Sequence, residues 1–221
     1  MSNRLLRQTK KLKQKILTLA GLVEGNLAKA THAVLHNDVE TAREVIASDP
    51  TVDAEEVDTE EECLKILALY QPVAKDLRFV VAILKLNNDL ERIGDLAVNI
   101  AEQAGRLGTH ERSLCPDILE KMVPRVQAMV HQAIDSLVEL DAEAAREVGA
   151  ADDAVDDLHR SMFQHVIDGV GKNPADVDDL IHYLSVSRYL ERIADHATNI
   201  AEDVIYMTSG EIVRHGGTRR E

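Results

Sequence analysis

At 221 residues the chain is long enough for one large domain or two small ones, and it is 45% hydrophobic, 29% charged and only 3% aromatic, with no Trp. So few aromatics and breakers argue against a sheet sandwich or barrel. A formal net charge of −14 argues against a nucleic-acid binder, because most of the surface would repel a phosphate backbone.

Taken in chain order, the helical patterns break at recognisable places. The first helix runs from about Leu5 to His36 and ends at "HND". Its first fifteen residues carry Arg4, Arg7, Lys10, Lys11, Lys13 and Lys15, which read as a solvated helix end or as a contact for anionic lipid heads or an acidic partner. A second helix spans Val39 to Tyr70, with an interruption expected near Pro50. "QPVAKD" turns the chain into a third, from about Val73 to Arg106. "GTHERSLCP" (108–116) is the best domain boundary, dividing the chain into 1–108 and 109–221. The fourth helix covers about Asp117 to Leu140, with Pro124 expected to kink it or delay its start. The fifth covers Ala142 to Val170 and the sixth Ala175 to Ile212, separated by "GKNP" (171–174). There Gly171 suits a helix end, and Asn173 with Pro174 suits a cap and first position. The apolar stretches 16–23 and 79–84 are too short to span a bilayer, and Cys63 and Cys115 lack zinc or disulfide spacing, so a cytoplasmic protein is expected.

The second three helices repeat the first three. "LERIGDLAVNIAE" (90–102) and "LERIADHATNIAE" (190–202) are identical at ten of thirteen positions. Val52 and Asp53 likewise correspond to Val155 and Asp156. The expected fold is all-α: an internally duplicated pair of antiparallel three-helix bundles built from six long helices.

Acids recur with the duplication. On a wheel of the third helix Leu86, Leu90, Ile93, Ala97, Ile100 and Ala104 share one arc, the core seam. Glu91 and Asp95 fall on the opposite side, so they are expected to project outward. An i,i+4 pair of like charges costs a helix about 0.2–0.5 kcal/mol, and a merely solubilising face more often sets Lys or Arg at that spacing. The pattern appears four times, as Asp49/Asp53, Glu91/Asp95, Asp152/Asp156 and Glu191/Asp195. One turn further on stands Glu56 in the first half and His159 in the second. Adjacent helices offering such carboxylates can converge on a cation, and oxygen ligands suit Mg²⁺, Ca²⁺, Mn²⁺ or Fe³⁺, with Zn²⁺ possible. A plain solvated acidic face is the competing reading. His196 reads as structural or surface, Arg92 and Arg192 as ion pairs at a helix interface, and Met122, Met129, Met162 and Met207 as core filler. With no nucleophile–base pair and no phosphate-cradling glycine loop, no enzyme is expected.

"LALYQPVAKDLRFVVAILKLNNDLERIGDLAVNIAE" (67–102) and "YLERIADHATNIAEDVIYMTSGEIVRH" (189–215) closely resemble the PhoU family of phosphate-transport accessory proteins, and the layout extends the resemblance over essentially the whole chain. The resemblance implies a cytoplasmic regulator beside the phosphate ABC transporter ATPase and the phosphate sensor histidine kinase. Such a protein signals phosphate sufficiency, represses starvation genes and restrains uptake. It also implies a homodimer, membrane association only through partners, and, as in some relatives, multinuclear iron or zinc on the E(D)-x-x-x-D motifs. Manganese or magnesium is possible. Carried over, the metal residues are Asp49, Asp53, Glu91, Asp95, Asp152, Asp156, Glu191 and Asp195, with His159 making the second site softer. "QPVAKDLR" is intact in the first half and becomes "NPADVDDL" in the second, so if that segment contacts a partner the first bundle is expected to make the contact. The runner-up is a metal cluster that itself touches phosphate.

Overall fold

The computed structural model describes residues 3–107 and 115–211, together with the backbone of 213–214 and 217–218. The boundary expected at 108–116 lies almost wholly outside them. Six helices carry the fold: α1 (Asn3–His36), α2 (Val39–Tyr70), α3 (Lys75–Leu107), α4 (Asp117–Glu139), α5 (Ala142–Lys172) and α6 (Val177–Ser209). A single 3₁₀ turn, Pro174–Asp176, precedes α6, and a two-residue antiparallel ladder pairs Val213 with Thr218 and Arg214 with Gly217.

The turns show the duplication at atomic detail. Asp38 caps α2 by accepting from Thr41 N at 3.1 Å, and Asp141 caps α5 by accepting from Glu143 N at 2.9 Å. In each case the cap residue's own N–H returns to a carbonyl of the preceding helix, Ala33 or Ser136. The residue before each cap is left-handed, Asn37 at φ 58° and Leu140 at φ 55°. Asn tolerates that region better than Leu does.

Neither internal proline ends its helix. Pro50 and Pro124 sit on exposed faces, and the carbonyls they free, on Ile46 and Glu120, belong to exposed residues where water can satisfy them. Gly171 lies inside the last turn of α5, and Asn173 stands at the junction, its side chain accepting from Ala175 N. The sixth helix stops at Ser209, short of Ile212, because Gly210 takes φ 80° and returns its N–H to Tyr206 O.

In each half the three helices pack on one another, and the halves join through α3 against α6 and α1 against α4. Lys85 pairs with Asp203 at 2.7 Å, Asp89 with His196 at 2.8 Å, and Gln103 with His182 at 2.8 Å. Partners that descend along α6 as α3 ascends make the two helices antiparallel, and this register sets Ile93 level with Ile193. Thr31 with Gln127 and Glu24 with His131 show the same antiparallel sense for α1 and α4. The halves are thus related by a local two-fold at the height of the repeated motif. One buried core runs through both, including Leu86, Leu90, Ile93, Leu190 and Ile193 as well as Met122, Met129, Met162 and Met207. Burying each such aliphatic side chain contributes about 1.5–3 kcal/mol. With α1, α3, α4 and α6 forming the joint, α2 and α5 lie on the outer flanks.

Candidate functional site: two acid-lined grooves between helices

The flank helices place the acids. Between α2 and α3, Asn87 Nδ2 donates to Glu56 O at 3.0 Å and to Glu56 Oε1 at 2.7 Å. Two turns along, Gly94 lets α2 approach closely, since a Cβ there would stand 3.1 Å from Val52 Cγ1. These two contacts fix an antiparallel register in which Asp53 faces Glu91 and Asp49 faces Asp95. The second half repeats it: His159 Nδ1 meets Ser187 Oγ at 2.9 Å, so that Asp156 faces Glu191 and Asp152 faces Asp195.

The proximity shifts the titration of the acids. Burial holds the Asp49 carboxyl above its ordinary range, and Asp53 and Asp95 push it further. Glu91 is raised by burial first, then by Asp95, with Arg92 opposing and Glu56 and Asp53 adding. In the second groove burial, Asp195, Asp156 and Asp153 carry Asp152 from 3.8 to about 6. Glu191 is raised by burial, Asp195 and Asp156, against Arg188, and Asp195 is raised by burial and Asp156, against His196 and Arg192. Carboxylates gathered in this way, opposed by Arg92 in the first groove and by Arg188, Arg192 and His196 in the second, still carry raised pKa values, which favours a proton or a cation between them.

The acids do turn away from the Leu90–Ile93 seam, but they do not simply face water. Asp49, Glu91, Asp95, Asp152, Asp156 and Glu191 are half-buried, while Asp53 and Asp195 are exposed. The reason is that α3 has three neighbours, α1, α2 and α6, so its polar side lines a groove against α2. Arg92 does not bridge helices as expected. It folds back on its own motif, 3.4 Å from Glu91 Oε2 and 3.2 Å from Asp95 Oδ2, which relieves the like-charge pair. His196 is structural, bonded to Asp89 across the joint.

His159 carries a tautomer set by its partner. Ser187 Oγ gives its proton to Leu184 O at 2.8 Å, so it accepts from His159 Nδ1–H and leaves the lone pair on Nε2. Burial and Arg188 favour the neutral ring, against Asp156. A neutral imidazole with its other nitrogen anchored is the form in which histidine ligates metal. The residue types therefore fit a cation. As the side chains stand, no three His, Cys, Asp or Glu groups among the described residues close into a ligand set, so binding would need rotamer changes. Asn87, Ser187 and Arg188 are the participants that motif reading passed over. The repeat spacing, extended one turn upstream of "LER", would have found Asn87 and Ser187.

A PhoU-domain family model matches residues 16–104 and again 119–204, one copy on each half. The chain belongs to the PhoU family. It is 40% identical over 213 residues, 96% of each chain, to a phosphate-specific transport system accessory protein PhoU homolog of Aquifex aeolicus. A Deinococcus radiodurans homolog of the same name is 36% identical, over 88% of this chain and 91% of that one. Among solved structures, PhoU from Pseudomonas aeruginosa superposes with a TM-score of 0.89 at 33% identity, covering 92% of this chain and 98% of that one. The phosphate transport system regulatory protein PhoU from Streptococcus pneumoniae gives 0.88 at 29% identity, covering 96% and 100%. The fold expected from the sequence is thus the PhoU fold. The family is one of accessory proteins and not of enzymes, as the lack of a nucleophile–base pair had suggested. No helix of the described residues is long and apolar enough to cross a membrane.

Proposed function

We propose that this protein is a cytoplasmic regulatory adaptor of phosphate uptake and phosphate signalling. In this reading it engages the ATPase of the phosphate ABC transporter and the phosphate sensor histidine kinase, and acts as a negative regulator of the starvation response. The names of its relatives place them in the phosphate-specific transport system. The observation that carries the chemistry is the pair of equivalent grooves in which four carboxylates face each other two by two. Asp49, Asp53, Glu91 and Asp95 would hold metal in the first, and Asp152, Asp156, Glu191, Asp195 and His159 in the second. The bound cation, iron or zinc, with manganese or magnesium as weaker candidates, supplies positive charge that ties the flank helix to the centre. In this reading two copies of the chain associate as a homodimer.

Elemental analysis of untagged protein beside an Asp95→Ala/Asp195→Ala variant tests the metal. Stoichiometric metal lost in the variant supports the reading, and its absence after incubation with iron, zinc and manganese sinks it. Pull-down of the ATPase and the kinase domain, with the starvation genes assayed in a deletion strain, tests the adaptor role separately. Titration with phosphate before and after metal removal tests whether the cation itself touches phosphate, because the bare grooves would repel that anion.

A further inference from the structure

The two ends of the molecule differ, and the duplication makes the difference measurable. α1 is 34 residues long and α4 only 23. Aligned on their equivalent caps, Asp38 and Asp141, α4 begins at the counterpart of Gln14. The first eleven residues of α1 therefore have no helical counterpart in α4. They extend past the α4–α5 turn, which lies level with Lys13 through the 2.6 Å bond from Lys13 Nζ to Val138 O. At about 1.5 Å per residue the overhang is roughly 15 Å.

This overhang joins the α2–α3 turn to make one tip, since Thr9, Lys10 and Lys13 line a hollow with Asp76 and Phe79. Pro72 is buried and anchors the turn, while left-handed Gln71 and Ala74 on either side lift Val73 out. Val73 is 73% and Leu69 74% exposed, and Leu6 and Leu77 are exposed beside them. Arg4, Arg7, Lys10 and Lys75 are also exposed, and none of them makes an ion pair among the described residues. Asp76 lies among them, half-buried in the first turn of α3. At the equivalent turn of the other half stand Asp176, Asp178 and Asp179, and among the described residues α4 does not reach past it.

We propose that this tip docks on an anionic lipid surface, its aliphatic side chains entering the headgroup boundary and its four bases meeting lipid phosphates. On a chain of net charge −14 a local excess of bases is directional, and among the described residues it turns this end toward a negative surface. The large apolar side chains exposed at the tip, Leu6, Leu69, Val73 and Leu77, are all aliphatic, whereas protein docking centres are rich in Trp and Tyr and poor in Leu and Val. Amphipathic protrusions ringed by Lys and Arg suit a bilayer interface. The inference does not depend on the metal reading.

The test is co-sedimentation of the full chain with phosphatidylcholine vesicles with and without phosphatidylglycerol. The wild type should partition to the anionic vesicles alone and be released by salt. Leu69→Ser/Val73→Ser and Arg4→Glu/Arg7→Glu/Lys10→Glu should each weaken partition by about tenfold or more with unchanged circular dichroism. Ile167→Ser/Ile181→Ser, exposed aliphatics of the other half, should bind as wild type. No partition, equal partition to neutral vesicles, or indifference to the tip variants overturns the proposal. So does loss of binding to the purified transporter by the same variants when the wild type ignores vesicles, which would make the tip a protein contact.

Discussion

His159 and Ser187 meet across the second groove at the place where Glu56 and Asn87 meet across the first. Both members of the pair changed between the halves while the bridge between the helices was kept. In the first half an amide holds a carboxylate, and in the second a hydroxyl holds a neutral imidazole. The four facing acids one and two turns along are chemically alike in both halves, so this bridge is where their metal preferences part. With Zn²⁺ as probe, His159→Ala should weaken the second site at least about tenfold, and Ser187→Ala should do so by a smaller factor through ring orientation alone. Titrating each variant with Zn²⁺ and with Mg²⁺ checks this, and an equal loss for both ions would contradict it.

Asp152 offers a pH test with a defined sign. Its pKa in the fold is raised from 3.8 to about 6, so between about pH 4 and 6 the native state holds a proton that the unfolded chain has released. Stability from this group is fully present below about pH 4 and is lost as pH rises through about 6. Asp152→Asn should therefore stabilise the metal-free protein at pH 7 by about 1 kcal/mol, discounted for partial exposure, and change little at pH 4. Urea unfolding at the two pH values measures it.

Gly94 sets how closely α2 approaches α3. Gly94→Leu must displace Val52 and should cost about 2–3 kcal/mol, splaying the first groove. If the grooves bind metal, the first should lose affinity and the second keep it, which site-resolved titration would show.

At the joint, Asp89 is only 9% exposed and accepts from His196 and, at 3.4 Å, from Asn199. Asp89→Ala should destabilise by about 1–3 kcal/mol, and a double-mutant cycle with His196→Ala should show a coupling of at least about 0.5 kcal/mol. Additivity would mean the contact adds nothing to the union of the halves.

Cys63 is buried and its thiol is pushed up to about 12 by burial and then by Glu62 and Glu60. A thiol reagent should label Cys115 in the native protein and reach Cys63 only on unfolding.

Helix positions were legible because apolar spacing and caps such as Asp38 and Asp141 act locally. The repeat was legible because polar residues at fixed spacing are hard to retain by packing alone. The grooves were not. A wheel describes one helix, and it rightly set Glu91 and Asp95 away from Leu90 and Ile93, yet it holds no information on α2 lying across that face. The interruption expected near Pro50 and the delayed start expected from Pro124 misled for a related reason. A proline costs most where its freed carbonyl is buried, and whether Ile46 or Glu120 is exposed is a tertiary fact. The reach of Arg92 back to Glu91 and Asp95 was available from spacing alone, since i,i+3 side chains are neighbours on any helix.

The local two-fold between the halves has a consequence for evolution. An assembly of two identical three-helix units would show the same end twice, and any change that suited one end would be imposed on the other. Written as one polypeptide, the halves escape that constraint. Arg4 to Lys13 could accrue at one pole while Asp176 to Asp179 stood at the other, and His159 could replace a carboxylate in one groove alone. The molecule keeps the stability of a symmetric joint and gains a front and a back.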